Sequence, residues 1–204
     1  MPRVGRSDVR GAAMLRGENV LLRVAQESDL AVIAEWHCDP EFRGRWYNQW
    51  RSGVHTTAED FRSFLDTPLD DNEGQLVTVD VATGEPVGLI GYLVPFASAY
   101  REFYTAVEIA YQVHPRHRGR GVATQAARLL VNHLFDATPV NRNQACIMVG
   151  NEASGRVLEG CGMRAEGELR GITFLHGRWH DLRLYSIVRP DWIDEDDYKS
   201  RYPF

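Results

Sequence analysis

The residues best placed to do chemistry lie in one stretch, 108–127, which reads EIAYQVHPRHRGRGVATQAA. Residues 106–113 have the composition of a strand, stopped by His114-Pro115. An Arg- and Gly-rich turn follows. Val122, Ala126, Leu130 and Leu134 then recur every four residues and predict a helix over 122–135. At a helix start several N–H groups lack intrahelical acceptors, and the macrodipole leaves partial positive charge there. Gly119 and Gly121 let the backbone approach an anion closely, while Arg116, Arg118 and Arg120 add charge. The chemistry that suits this turn is the holding of a pyrophosphate.

Other readings of an Arg/Gly turn exist. A P-loop needs GxxxxGK[ST], and the chain has no Gly-Lys-Ser/Thr. A dinucleotide fingerprint needs a third Gly or Ala where Thr124 stands, and belongs to a first βαβ unit, whereas this turn follows at least three strands. A basic surface turn that only caps a helix stays open on these residues alone.

The run Arg116-His117-Arg118-Gly119-Arg120-Gly121 resembles the [Q/R]xxGx[G/A] signature of the GCN5-related N-acetyltransferase (GNAT) superfamily. The likeness extends to NEASGRVLEGCGMRAEGELRG at 151–171, to GRWHDLRLYSIVRPDW at 177–192, and to the early pattern of Asp29, Trp36 and Asp39-Pro40. These segments are similar to the RimJ/RimL-like branch of ribosomal-protein alanine acetyltransferases, over roughly residues 18–192.

The resemblance implies an acetyl-CoA-dependent N-acetyltransferase whose two coenzyme-binding strands splay into a V. Acceptor amine and thioester meet there in a ternary complex, with no covalent enzyme intermediate. It implies that Tyr111, Gln112 and Val113 lend backbone groups to pantetheine. The amides from Arg118 and Gly119 through Gly121, Val122, Ala123 and Thr124 then hold the pyrophosphate, and Asn151 contacts the coenzyme arm or caps the next helix. No metal is expected: His176 and His180 straddle an expected glycine turn without a third ligand nearby in sequence.

Acyl transfer to an amine needs a base for the ammonium proton and a means of stabilising the leaving thiolate. Glu108 is the candidate base, because alternation sets it on one strand face with Ala110 and Gln112; a solvated strand-edge carboxylate is the alternative. Many members of the superfamily carry a Tyr acid seven residues after the Asn, where this chain has Leu158. In the RimL-like branch a Ser three residues after the Asn substitutes, and Ser154 matches it; helix capping is its other role. Arg45, Trp46, Tyr47 and Trp50, in an irregular aromatic segment at 41–55, are candidates for binding the acceptor, a cation resting on an aromatic face.

The elements that must position these groups follow from the rest of the chain. Strands are expected at 19–25, 75–81, 86–94 and 143–149, with a hairpin turn at Thr83-Gly84. Helices are expected from a cap at Ser28 or Asp29 to Cys38, over 57–65, and over 152–161 with Gly162 as the terminating glycine. Two closing strands flank His176-Gly177. The fold class expected is α+β and GNAT-like, a central mixed, mostly antiparallel twisted sheet flanked by helices.

At 204 residues, 44% hydrophobic and 25% charged, the chain has the make-up of one ordinary globular domain, here 14–204 behind a flexible tail at 1–13. A net charge of -5 argues against nucleic acid or an anionic membrane as partner. Three scattered cysteines, and no apolar signal core near Arg3, Arg6 and Arg10, point to a reducing cytoplasmic setting. The expected partner is a small-molecule amine such as an amino sugar, antibiotic, polyamine or amino acid. A protein N-terminus is the alternative, a non-catalytic acyl-CoA sensor is a rival of another class, and homodimerisation is left open.

Overall fold

The computed structural model describes residues 14–46, 57–62, 65, 73–94 and 106–193. The expected tail at 1–13, Tyr47 and Trp50 lie outside the described residues.

One sheet organises the chain. Strands β1 (Met14–Arg16), β2 (Val20–Arg23), β3 (Glu73–Asp80), β4 (Pro86–Leu93), β5 (Ala106–Val113), β6 (Arg142–Met148), β7 (Arg164–Leu175) and β8 (Arg178–Val188) form eight strands in the order β1-β2-β3-β4-β5-β6-β8-β7. Neighbours are antiparallel except β5 and β6, which run parallel over only Ala106↔Arg142, Val107↔Asn143 and Glu108↔Gln144. Beyond that third rung β5 continues to Val113 against β4 alone, and β6 continues to Met148 against β8 alone. The expected V-shaped splay is this divergence.

Both faces of the β2–β4 half are buried, which explains the apolar runs LVTV and PVGLIGYL. Leu22, Leu76, Ile90, Tyr92, Val107 and Ile109 pack with helix α3 (Val122–Ala137) on one side. Val77, Val79 and Leu89 pack with α1 (Asp29–Cys38) on the other. Helix α3 buries Val122, Ala126, Ala127, Leu130, Val131, Leu134 and Phe135, the stripe its spacing predicts. Helix α4 (Glu152–Gly160) ends in a Schellman turn: the N–H of Gly162, at φ +86°, reaches the Glu159 carbonyl, and that of Met163 reaches Leu158. The β7–β8 turn is the two-residue kind with positive φ at both His176 and Gly177.

Three local expectations need correction. The segment after Cys38 is not wholly irregular: Pro40–Arg43 forms a helical turn, α2, because Pro40 is preset for a first helical position and the Asp39 carboxylate accepts from the Glu41 N–H at 2.8 Å. Of the helix expected at 57–65, the described residues 58–61 form a 3-10 turn, Ala58–Phe61, where Asp60 takes both the N–H and the hydroxyl of Thr57. Ser28 stands at the α1 N-cap without a side-chain bond. Asp29 instead receives the Gln26 N–H and the Arg23 guanidinium, which holds its carboxyl below the usual range against the opposing effect of burial.

The C-terminus of α3 rests on one buried cation. Arg189, in α5 (Arg189–Trp192), is only 3% exposed. It donates to the carbonyls of Phe135, Thr138 and Val140 at 2.7 to 3.1 Å, above the Phe135 ring. Removing the donors strands those carbonyls in the interior. We expect Arg189→Met to destabilise by about 3 kcal/mol, and Arg189→Lys by less. A urea midpoint for the Met variant equal to that of the wild type would contradict this.

Candidate active site

The site is built where β5 gives way to α3. After Val113 the chain makes a 3-10 turn, Pro115–His117, then turns at Gly119 (φ +73°) and Gly121 (φ +77°). A side chain is disfavoured in that left-handed region, and a Cβ at either glycine would meet nothing within 4 Å. The turn is open on its outer side. The first intrahelical bond of α3 runs from the Gln125 N–H to the Gly121 carbonyl. The amides of Val122, Ala123 and Thr124 precede it and so have no acceptor within the helix.

These amides face a cleft of about 770 Å³. Its walls are the end of β5 (Tyr111, Gln112, Val113), the turn (Arg118, Gly119, Gly121), the first residues of α3, and the start of α4 with Asn151 and Ser154. The segment from Phe42 to Trp46 closes the remaining side. Of the residues singled out in the sequence, all of these come together. Arg116, Arg120 and Glu108 do not line the cleft; the two arginines are exposed beside the turn.

Tyr111 bridges the splay. Its hydroxyl donates to the Ser154 carbonyl at 3.1 Å, and burial pushes its pKa well above the ordinary tyrosine value. Asn151 caps α4, its side-chain oxygen accepting from the Ser154 N–H at 3.4 Å. Leu158 is fully buried and holds the place of the hydroxyl expected elsewhere in the superfamily. Two further contacts clamp α4 onto the turn helix: Arg128 donates to the Gly160 carbonyl, and the Cys161 thiol reaches the Thr124 carbonyl at 3.5 Å. Burial pushes the Cys161 thiol up to about 11, and burial with the Glu108 charge does the same for Cys146.

Glu108 occupies the last rung before the strands part. It accepts from Gln144 at 3.3 Å, in a chain that continues through Arg142 to Glu166 and Ser186. The Phe42–Trp46 side holds Arg45, whose guanidinium lies 4.4 Å from the Trp46 ring centre. His114, its ring tilted near those of Trp36 and Phe42, is kept below the usual histidine range by burial and then by the charge of Arg116.

Sequence reading missed Arg156, which adds a cation to the cleft wall, and the part played by Phe42 to Gly44. Arg156 lies two residues after Ser154 on the exposed side of α4, a place no motif marks. The backbone turn at Pro40 was readable from Asp39-Pro40, as an N-cap followed by a first-turn proline.

A family model for the acetyltransferase (GNAT) domain matches residues 19–164. Among curated relatives, the putative ribosomal N-acetyltransferase YdaF of Bacillus subtilis is 36% identical over 88 residues, 43% of this chain and 48% of the relative. The chain spans about half the length of the first curated relatives it matches, 46% to 58%. Among solved structures, the ribosomal-protein-S5-alanine acetyltransferase of Vibrio fischeri aligns with a TM-score of 0.75 at 22% identity, over 89% of this chain and 100% of that one. The spermidine N-acetyltransferase of Vibrio cholerae, in complex with CoA and spermine, gives 0.69 at 18% identity, over 85% and 98%. At these identities the structural likeness speaks for the fold.

The chain of side chains beside Glu108 has a pH signature. Hydrogen bonds from Arg142, then Ser186, hold the Glu166 carboxyl down at about 2. A carboxyl depressed in the folded state stabilises above its unfolded value and loses that contribution as pH falls through the folded one. The window is therefore about pH 4.5 down to 2. Because the Glu166 side chain is 40% exposed, we expect no more than about 1 kcal/mol. Urea midpoints measured from pH 7 to 2.5 should fall less steeply over that window in Glu166→Gln; parallel curves would contradict the assignment.

Proposed function

Because the chain belongs to the GNAT acetyltransferase family, we propose that it transfers the acetyl group of acetyl-CoA to a primary amine bound on the Phe42–Trp46 side of the cleft. The observation that carries this reading is the open turn at Gly119 and Gly121, at the mouth of the β5–β6 splay and facing the unbonded amides of α3. A pyrophosphate fits a cradle of main-chain donors at a helix start, with the Arg156 cation on the cleft wall. Pantetheine, itself a chain of amides, suits the β5 edge over Tyr111, Gln112 and Val113, where the backbone groups of Tyr111 and Val113 point away from β4 and have no strand partner on the β6 side. Asn151 then faces the coenzyme arm from the opposite wall.

The chemistry is direct attack. The neutral amine nitrogen bonds to the thioester carbonyl carbon, the carbon–sulfur bond breaks, the nitrogen sheds one proton as the amide forms, and the departing thiolate takes one up, so that amide and free thiol are released. Both Cys146 and Cys161 have raised pKa values and stay un-ionised near neutrality, in keeping with a reaction that uses no enzyme thiolate. Glu108, one rung beneath the splay and outside the cleft wall, takes the ammonium proton through solvent. Ser154, on the cleft wall in the first turn of α4, is the donor to the thiolate. Alignment of amine and thioester supplies much of the rate without either group.

For the acceptor we favour a small amine over a protein N-terminus. Arg45 and Trp46 close one side of the cleft, and an aromatic face suits an ammonium group. The solved neighbour crystallised with spermine is named a spermidine N-acetyltransferase, which accords with this choice.

Titration calorimetry with CoA should show binding to the wild type and a loss of about tenfold or more in Gly121→Trp, given the cost of a side chain in the left-handed region plus its bulk in the cradle. Equal affinity would contradict the cradle. Thiol release from acetyl-CoA should appear with small amines, and release with peptides alone would overturn the acceptor class. In Glu108→Gln the acid limb of the pH–rate profile should move while the CoA affinity stays within about twofold.

A further inference from the structure

Arg118 belongs by position to the turn, yet its side chain leaves it. Its Nε donates to the Val113 carbonyl at 2.9 Å, and its Nη2 donates to the Phe42 and Glu41 carbonyls at 2.9 and 3.2 Å. Gln112 sends a second donor to the Phe42 carbonyl, also at 2.9 Å. Those carbonyls have a fixed base, since the Phe42 ring is fully buried and stacked 5.2 Å from Trp36. Beyond it the chain turns at Gly44 (φ +63°) and reaches the other arm of the splay. There His176 Nε2 lies 3.2 Å from the Arg45 carbonyl, and Trp46 lies against Gly150. Segment 41–46 is thus a strap along the cleft, tied at one end to the coenzyme turn and at the other to the β6 and β8 side.

We propose that Arg118 is a positioning residue that couples occupancy of the pyrophosphate turn to the strap carrying Arg45 and Trp46. This rests on the reading of the cleft as a CoA site. Arg118 is an exposed residue and its bond to Glu41 is exposed, so the bonds to Glu41 and Phe42 compete with water and depend on the turn to hold the side chain in place. Gly119 and Gly121 give the turn conformational freedom, and a pyrophosphate on its amides removes that freedom. Fixing the Arg118 backbone fixes the direction of its side chain and with it the two carbonyls. A planar fork can hold the acceptors on β5 and α2 together; an ammonium cannot reproduce that geometry. By linkage, an acceptor that orders the strap tightens CoA by the same factor.

Hydrogen exchange on the full chain, with and without saturating CoA, tests this. The reporters are amides of the strap, including those of Arg43 and Gly44, which bond to Asp39 and Pro40. In the wild type CoA should slow exchange over 41–46 by about fivefold or more, the lower end of ordinary site-to-site coupling. In Arg118→Met, at saturating CoA, that slowing should vanish while 122–137 stays protected by CoA. Arg118→Lys should fall between. Retention of the slowing in Arg118→Met overturns the inference, as does a loss of CoA affinity of about tenfold or more, which would place the guanidinium on the phosphate. Wild-type protection at 122–137 with none at 41–46 overturns the inference alone. A wild type that does not bind CoA overturns the proposed function with it.

Discussion

An edge inside a sheet is the constraint on which the rest of this structure depends. Main-chain donors and acceptors removed from water must find partners, and each one left without costs about 1–3 kcal/mol. The β5 strand has β4 from Glu108 to Val113 but β6 only from Ala106 to Glu108, so from Ile109 onward one side of its backbone faces a gap. A sheet with such a gap at its middle would ordinarily close. Here it is held apart by the start of α4, with the Tyr111 hydroxyl on the Ser154 carbonyl as a cross-strut. What fills the opening must carry its own amides and carbonyls and must end in something that suits the start of α3.

The surroundings keep that gap in shape. Gly88 lets β4 approach closely, since a Cβ there would lie 2.4 Å from the Gln112 carbonyl oxygen; that neighbour supports the very backbone which faces the gap. On the opposite wall, a Cβ at Gly160 would lie 2.9 Å from Thr124 Cγ2, so α4 sits directly on the first turn of α3. The arms of the V are therefore packed from both sides. The β7–β8 hairpin differs: Ile172, Phe174 and Trp179 are 47% to 66% exposed, and its turn at His176 reaches the cleft side, through Arg45.

Much of the fold was legible because its signals are local. The strand before the turn has the expected limits, Ala106–Val113, since His114-Pro115 ends it; the helix after it starts where Gly121 stands. The hairpin at Thr83-Gly84, the end of α4 at Gly162 and the turn at His176-Gly177 were read from glycine conformations that the structure contains. The splay was expected only through resemblance, because where two parallel strands part is a matter of tertiary packing and leaves no periodic trace. The strap was illegible for a related reason. Its bonds run from Arg118 and Gln112 to carbonyls some seventy residues away, and main-chain acceptors have no side-chain identity to read. The same reasoning explains Arg118 itself: composition counts its charge toward the phosphate, whereas the geometry commits its donors elsewhere. Glu108 shows the opposite case. Alternation sets it on one strand face with Ala110 and Gln112 but carries no information on its depth along the strand relative to the cleft wall.

The account is tested most directly by a crystal structure of the CoA complex. It should show pantetheine lying along β5, with amide hydrogen bonds to the backbone of Tyr111 to Val113, and the pyrophosphate within about 3 Å of main-chain nitrogens between Gly119 and Thr124. A coenzyme bound elsewhere, or a β5 edge that closes onto β6 once the complex forms, would contradict it.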